Sequence, residues 1–271
     1  MHLKHPGPFA QGYEAIVERS GADSDMLMDF GILTLGPGDA WSSGPADEKA
    51  FLLMSGEVDF SWPGGKERAE RSSLLDETPS VLHLPDGAEA GLRGGPRGAR
   101  LAVVRTDNAA DFAARFYTPR ECGSEERGKG TMRETSTRLV RAVFDDSNAP
   151  VSNVVLGEVV GSPGKWSSYP PHHHPQPEIY HYRFLPENGF GFTTLGEDAY
   201  LLKDKDTVLI RDGQIHPQVT APGYALWYLW VIRHLDGRRY RSPYPIFVDE
   251  HAWVMSPDAK IWSPPSERGN R

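Results

Sequence analysis

Short apolar runs, each closed by a turn containing Gly or Pro, recur along this chain, and two of them return in its second half with their turns intact. Ile32-Leu33-Thr34-Leu35-Gly36-Pro37-Gly38 resembles Val159-Val160-Gly161-Ser162-Pro163-Gly164. Val81-Leu82-His83-Leu84-Pro85-Asp86-Gly87 resembles Val208-Leu209-Ile210-Arg211-Asp212-Gly213 at about the same offset. Internal repetition constrains a whole architecture, because each unit must find equivalent neighbours in its own half. The 28 glycines and 23 prolines among 271 residues supply the turns. The expected fold is all-β, a sandwich or barrel in each half.

In the first half, strands are expected over Phe30–Leu35, Ala50–Met54, Glu57–Trp62, Val81–Leu84 and Arg100–Arg105. Ser55-Gly56 is read as the turn of a hairpin-like pair. Asp107 to Tyr117 could hold a short helix, and the charged stretch Glu121 to Lys129 reads as a linker. In the second half, strands are expected over Arg138–Phe144, Val154–Val160, Glu178–Phe184, Phe190–Leu195, Asp206–Arg211 and Ala225–Ile232. The Pro- and aromatic-rich tail from Tyr244 is expected to pack over an edge or a neighbour. The division this suggests is residues 1–118 and 119–271.

A net charge of −8 is not the footprint of a nucleic-acid binder. Cys122 is the only cysteine, which excludes an intrachain disulfide and a Cys-rich zinc site. The first ten residues carry His2, Lys4, His5 and two prolines and do not read as a signal peptide. The longest apolar stretch, Tyr224 to Ile232, is too short to span a bilayer. A soluble, cytoplasmic protein is expected. Sheet edges and an aromatic tail make a homo-oligomer plausible.

Five of the ten histidines lie between His172 and His216. His-x-His on an extended chain puts His172 and His174 on one face. Glu178 can return to that face after the Pro175-Gln176-Pro177 bend, and His216, just past the Asp212-Gly213 turn, can complete the set. Imidazole and carboxylate donors suit one divalent transition metal, zinc, manganese, iron or nickel. His173 points away on alternation, and His181 has the parity of surface or interface. Tyr180 and Tyr182 share the parity of Glu178 and are expected to face the cavity. The first half has Ala90 where the later histidine would stand and no His-x-His between Gly38 and Phe51. Its barrel is expected to be structural, with His83 packed.

The pattern Gly…His-x-His-x3-Glu followed by Gly-x-x-His resembles the two-motif signature of the cupin superfamily. Over Trp166 to His174, Glu178 to Phe184, Asn188 to Phe192, His216-Pro217 and Ala221 to Tyr224, the chain resembles the 5-deoxy-glucuronate isomerase family of myo-inositol catabolism, a relative of the 5-keto-4-deoxyuronate isomerases. The Arg127-Gly-Lys-Gly-Thr131 segment also fits. The resemblance implies a bicupin, two tandem double-stranded β-helix (jelly-roll) barrels. It implies His172, His174, Glu178 and His216 as metal ligands, and interconversion of 5-deoxy-D-glucuronate and 5-dehydro-2-deoxy-D-gluconate. The chain departs from the family at His173, at the short Pro175-Gln176-Pro177 bend and at Trp230, where a smaller polar residue is usual.

An aldose–ketose isomerase needs a Lewis acid at the carbonyl and a general base at C2. Tyr180, Tyr182 and a metal-bound hydroxide are the candidates for the base. A small anionic sugar acid also needs a cation, for which Arg183, Lys165 and Arg211 are the candidates. The same ligands would equally serve a metal-dependent cupin dioxygenase, and a non-catalytic sugar-binding bicupin is the third reading.

Overall fold

A computed structural model describes residues 1–241 and 244–265. An eight-stranded antiparallel sheet is built from the first half. Its main path runs Gly12–Val17, Asp29–Leu35, Gly91–Thr106, Glu48–Trp62, Val81–Leu84 and Arg115–Tyr117. The second half forms a seven-stranded sheet in the order His2–Leu3, Thr207–Ile210, Glu178–Leu185, Ala225–Arg233, Val154–Gly161, Arg138–Phe144, Glu125–Arg127. It also forms a four-stranded sheet in the order Trp166–Ser167, Gln218–Thr220, Phe190–Leu195, Asp198–Lys203. The first strand of the chain therefore belongs to the second half's sheet, with His2 opposite Val208. No helix among the described residues is long and apolar enough to cross a membrane.

Alternation explains the layering. Along Glu178–Leu185, Tyr180, Tyr182 and Phe184 point into the second barrel, while Ile179 points the other way. Along Ala225–Arg233, Leu226 and Tyr228 point in, while Trp227, Leu229 and Val231 point out. The first half repeats this. Phe51, Leu53, Leu101 and Val103 fill its own barrel, while Ala50, Leu52, Ala102 and Val104 face outward. The two outward sets meet in one shared core, so the central strands are buried on both faces. Strands with two covered faces read as near-continuous apolar runs, as the stretch from Ala225 to Ile232 does.

Two carboxylates caught between the barrels are paired, as burial demands. Glu158 is fully buried. It accepts hydrogen bonds from Arg71 at 2.7 and 3.0 Å and from Arg141 at 2.8 Å, tying both halves to one carboxylate. Glu48 accepts from Asn108 at 2.7 Å, from Ser152 at 2.6 Å and from the backbone N–H of Asn153 at 2.8 Å, and it lies 2.7 Å from His83 Nε2. The His83 ring stacks on Phe144.

Several expectations change. Ser55-Gly56 is not a turn. Glu48–Trp62 is one continuous strand with register shifts on both sides of Gly56. Gly56 sits at φ +90°, where a Cβ would lie 2.1 Å from the Gly98 carbonyl oxygen, so the signal for a glycine was real but marked a bulge. The hairpin comes later, between Glu48–Trp62 and Gly65–Arg71. Asp107 to Tyr117 contains no helix, and Arg115–Tyr117 instead adds a strand beside Val81–Leu84. Inside the expected linker, Glu125–Arg127 pairs with Arg138–Phe144. His181 is fully buried, with its ring against Phe9 and Phe30. Its parity was read correctly, but the face it occupies is covered by the other barrel.

Two measurements follow. Glu158→Gln leaves two buried guanidinium groups without their anion and should cost about 3–5 kcal/mol in urea unfolding. Burial pushes the His181 imidazole down to about 3 from 6.5. The folded protein holds it neutral where the unfolded chain takes a proton. Its contribution is complete above pH 6.5 and is lost as pH falls from there towards 3, by about 1.4 kcal/mol per pH unit. His181→Leu should flatten stability against pH in that window by one histidine's share.

Candidate metal centre

Proline sets the entry to the site. Pro170-Pro171 and Pro175-x-Pro177 bracket the histidine triplet and deny it helix, leaving an extended segment. That segment pairs only with the tail, His172 opposite Phe247 and His173 opposite Ile246. Glu178 opens the strand that follows, between Ile210 and Ile232 of its neighbours. Asp212 and Gly213, at φ +49° and +69°, make a tight turn closed by Gln214 N–H to the Arg211 carbonyl at 2.9 Å, and this delivers His216.

The ligand atoms of His174, Glu178 and His216 all lie within 4.8 Å of one another, and all three residues are buried. His172 stands outside that triangle, with its ring centre 4.9 Å from that of His216. Each imidazole is oriented by a carbonyl two residues away. His172 Nδ1 donates to Pro170 at 3.0 Å, His174 Nδ1 to Gln176 at 3.1 Å, and His216 Nδ1 to Gln214 at 2.7 Å. A carbonyl can only accept, so in each neutral ring Nε2 keeps the lone pair. Burial pushes all three imidazoles down to about 4, so they are neutral at physiological pH.

Two of these lone pairs meet one carboxylate oxygen. Glu178 Oε2 lies 3.1 Å from His174 Nε2 and 3.3 Å from His216 Nε2. Burial pushes the Glu178 carboxyl up to about 7. A single proton could bridge only one nitrogen, and His216 Nε2 makes no hydrogen bond among the described residues. Three acceptors converging with too few donors is the arrangement a divalent cation satisfies, so the donor set fits a metal such as zinc, manganese, iron or nickel.

The site lies in a cavity of about 450 Å³. Tyr180, Ser168, Tyr228 and Trp230 form part of its wall, and Phe247 and Met255 of the tail reach it from the other side. Tyr180 and Ser168 share a hydrogen bond of 3.0 Å, and Tyr228 and Ser167 one of 2.6 Å. Trp230 has room for its indole because position 157 is glycine. A Cβ there would lie 2.4 Å from the ring.

The other expected site residues lie elsewhere. The Tyr182 hydroxyl is sealed in the barrel interior and does not line the cavity. Arg183 is bound to Asp204 at 2.8 Å and Glu187 at 2.9 Å. Arg211 is held by Asp23 and Asp25 of the first half. Lys165 sits in the turn after Val154–Gly161 and does not reach the cavity. Arg183 lies on the opposite face of its strand from Glu178, so alternation turns it away from the cavity. Arg211 was lost to a partner nearly two hundred residues away, which no local pattern reveals. The arginines that do line the cavity are Arg127 and Arg138, together with Tyr228 and Tyr240. None of these four was identified from sequence, although Arg127 begins a segment that carried the family resemblance.

The KduI/IolB family model matches residues 2–254. The chain belongs to this family. A curated relative from Geobacillus thermodenitrificans (strain NG80-2), named 5-deoxy-glucuronate isomerase, is 30% identical over 57% of this chain and 58% of its own length. The match thus spans little more than half of that relative. Another of the same name, from Bacillus subtilis subsp. natto, is 22% identical over 91% of this chain and 94% of its own length. Among solved structures, an IolB-like protein from Salmonella typhimurium LT2 superposes with a TM-score of 0.80 at 23% identity, covering 92% of this chain and 97% of that one. Oxalate decarboxylase from Lactobacillus farciminis superposes with a TM-score of 0.60 at 10% identity, covering 83% and 82%. The fold is that of a bicupin, and the curated relatives of this family member are isomerases by name.

Elemental analysis after dialysis against a divalent metal should find about one ion per chain. Glu178→Gln or His216→Ala should lose it, whereas His172→Ala should only weaken it. Chelation should lower the melting temperature of the wild type. At a free metal concentration of a hundred times Kd, the ion contributes about 2.7 kcal/mol.

Proposed function

We propose that this chain is a metal-dependent aldose–ketose isomerase that converts 5-deoxy-D-glucuronate to 5-dehydro-2-deoxy-D-gluconate. The observation that carries the reading is the convergence of His174, Glu178 and His216, the first two of them in the wall of a cavity large enough for a six-carbon acid. The names of the family's curated relatives support the substrate. Held by these three residues with His172 beside them, a divalent ion would supply Lewis acidity to the sugar carbonyl and the neighbouring hydroxyl.

The residues of the chain divide the remaining work. The carbonyls of Gln176 and Gln214 hold two of the imidazoles in the donor orientation. Burial raises the Tyr180 phenol well above its usual value, with Glu178 adding to the effect. Tyr180 therefore stays protonated and serves as a hydrogen-bond donor to a developing enediolate oxygen rather than as the base, with Ser168 holding its hydroxyl. The tail strand Ile246–Phe247, paired across His172–His173, helps shut water out of the cavity.

The test is anaerobic incubation of the metal-loaded protein with 5-deoxy-D-glucuronate, followed by NMR. Ketose formation that His174→Ala abolishes is the expected result, and Tyr180→Phe should lower kcat about 10²-fold or more. An absence of ketose with zinc, manganese, iron and nickel in turn would sink the reading.

A further inference from the structure

The strands Glu125–Arg127 and Arg138–Phe144 pair so that Arg127 and Arg138 stand directly opposite one another. Like charges in directly opposed cross-strand positions destabilise a sheet. Both residues also line the cavity that holds His174 and Glu178. Arg127 has partial compensation in an exposed ion pair with Glu125, Nε to Oε2 at 3.0 Å. Arg138 has none. Its Nη1 donates to the Ser136 carbonyl at 2.8 Å and to Ser136 Oγ at 2.9 Å, and no carboxylate of the described residues lies within ion-pair distance. Burial lowers the Arg138 guanidinium below its ordinary value, which marks it as a desolvated charge. The buried arginines Arg71, Arg141, Arg183 and Arg233 each have a carboxylate partner, whereas half-buried Arg138 has none among the described residues.

A half-buried cation without an anion is partly desolvated at a cost, and a second cation directly across the sheet adds to it. The two bonds to Ser136 fix one nitrogen of the guanidinium and leave its Nε–Nη2 edge uncommitted. That edge has the spacing to take both oxygens of one carboxylate.

We propose that Arg138, with Arg127 beside it, anchors the carboxylate of the substrate, while the His174–Glu178–His216 end of the same cavity receives its carbonyl. This rests on the reading of the cavity as a sugar-acid site. It replaces Arg183, Lys165 and Arg211, each of which lies outside the cavity. It also gives the specificity of the site a physical origin. A neutral hexose would leave Arg138 desolvated and unpaired, whereas a uronate neutralises it.

The experiment is calorimetric binding of D-glucuronate and D-glucose, which differ at C6 alone, to the full-length protein with and without zinc, for wild type, Arg138→Gln and Arg138→Lys. Turnover of 5-deoxy-D-glucuronate is measured alongside. Wild type should prefer glucuronate. Arg138→Gln should lose about ten- to a hundredfold in glucuronate affinity with no change for glucose, and Arg138→Lys should recover part of it. KM for the uronate should rise in the same order. Arg138→Gln should not melt below wild type in the absence of ligand, because it removes a repulsion; a merely structural arginine would show the opposite. Turnover by wild type with glucuronate affinity and KM unchanged in Arg138→Gln would overturn the anchor and leave the isomerase reading standing. A preference for glucuronate that depends on Arg138 without turnover would do the reverse. No preference for glucuronate in wild type would overturn the anchor whatever the turnover.

Discussion

The central strands of both barrels have no face left for water, and everything else in the molecule answers to that constraint. In Glu178–Leu185 and Ala225–Arg233, one set of alternate side chains fills the second barrel and the other fills the core shared with the first half. Removing apolar surface on both sides of a sheet is a large favourable term. The same burial leaves no water for any polar group that ends up inside. Glu158 therefore sits between Arg71 and Arg141, and Glu48 collects Asn108, Ser152, Asn153 and His83. These clusters join residues far apart in the chain, so they pin the two barrels to one another as well as satisfying themselves.

The candidate metal centre comes from the same constraint at the open end of the second barrel. Burial makes its histidines neutral and its glutamate reluctant to ionise, and the backbone carbonyls of Pro170, Gln176 and Gln214 turn the rings so that Nε2 faces the site. The donors are thus oriented by groups that cannot move without breaking the local chain path, which is how a donor set is held ready at little cost in reorganisation. Arg138 completes the picture at the other side of the cavity. Arg71 and Arg141 have their counterion within the protein, whereas half-buried Arg138 lines the cavity without one.

Much of this was legible in the sequence, and the parts that were not share a reason. The strand positions, the return of the pattern in the second half and the inward face of Tyr180 follow from period-two alternation and short-range turn chemistry, which are local properties, whereas of the four ligands expected, His172, His174, Glu178 and His216, the structure brings the last three within 4.8 Å of one another. Ser55-Gly56 was read as a hairpin turn, but the structure places Gly56 at a bulge inside one strand, where it approaches the Gly98 carbonyl. His181 was read correctly for direction, but Phe9 and Phe30 of the other half cover the face it occupies, and Arg211, a candidate for the substrate carboxylate, is held by Asp23 and Asp25 of that half.

The sequence by itself determined which residues could donate to a metal and which side of each strand they occupy, since alternation is imposed by the backbone within a few residues. Only the tertiary structure decided which charges were left over. Whether an arginine is spent on a structural carboxylate, as Arg71, Arg183 and Arg211 are, or lines the cavity without one, as Arg138 does, depends on strand register and on the packing of one barrel against the other. Those pairings span up to nearly two hundred residues, and no local pattern encodes them.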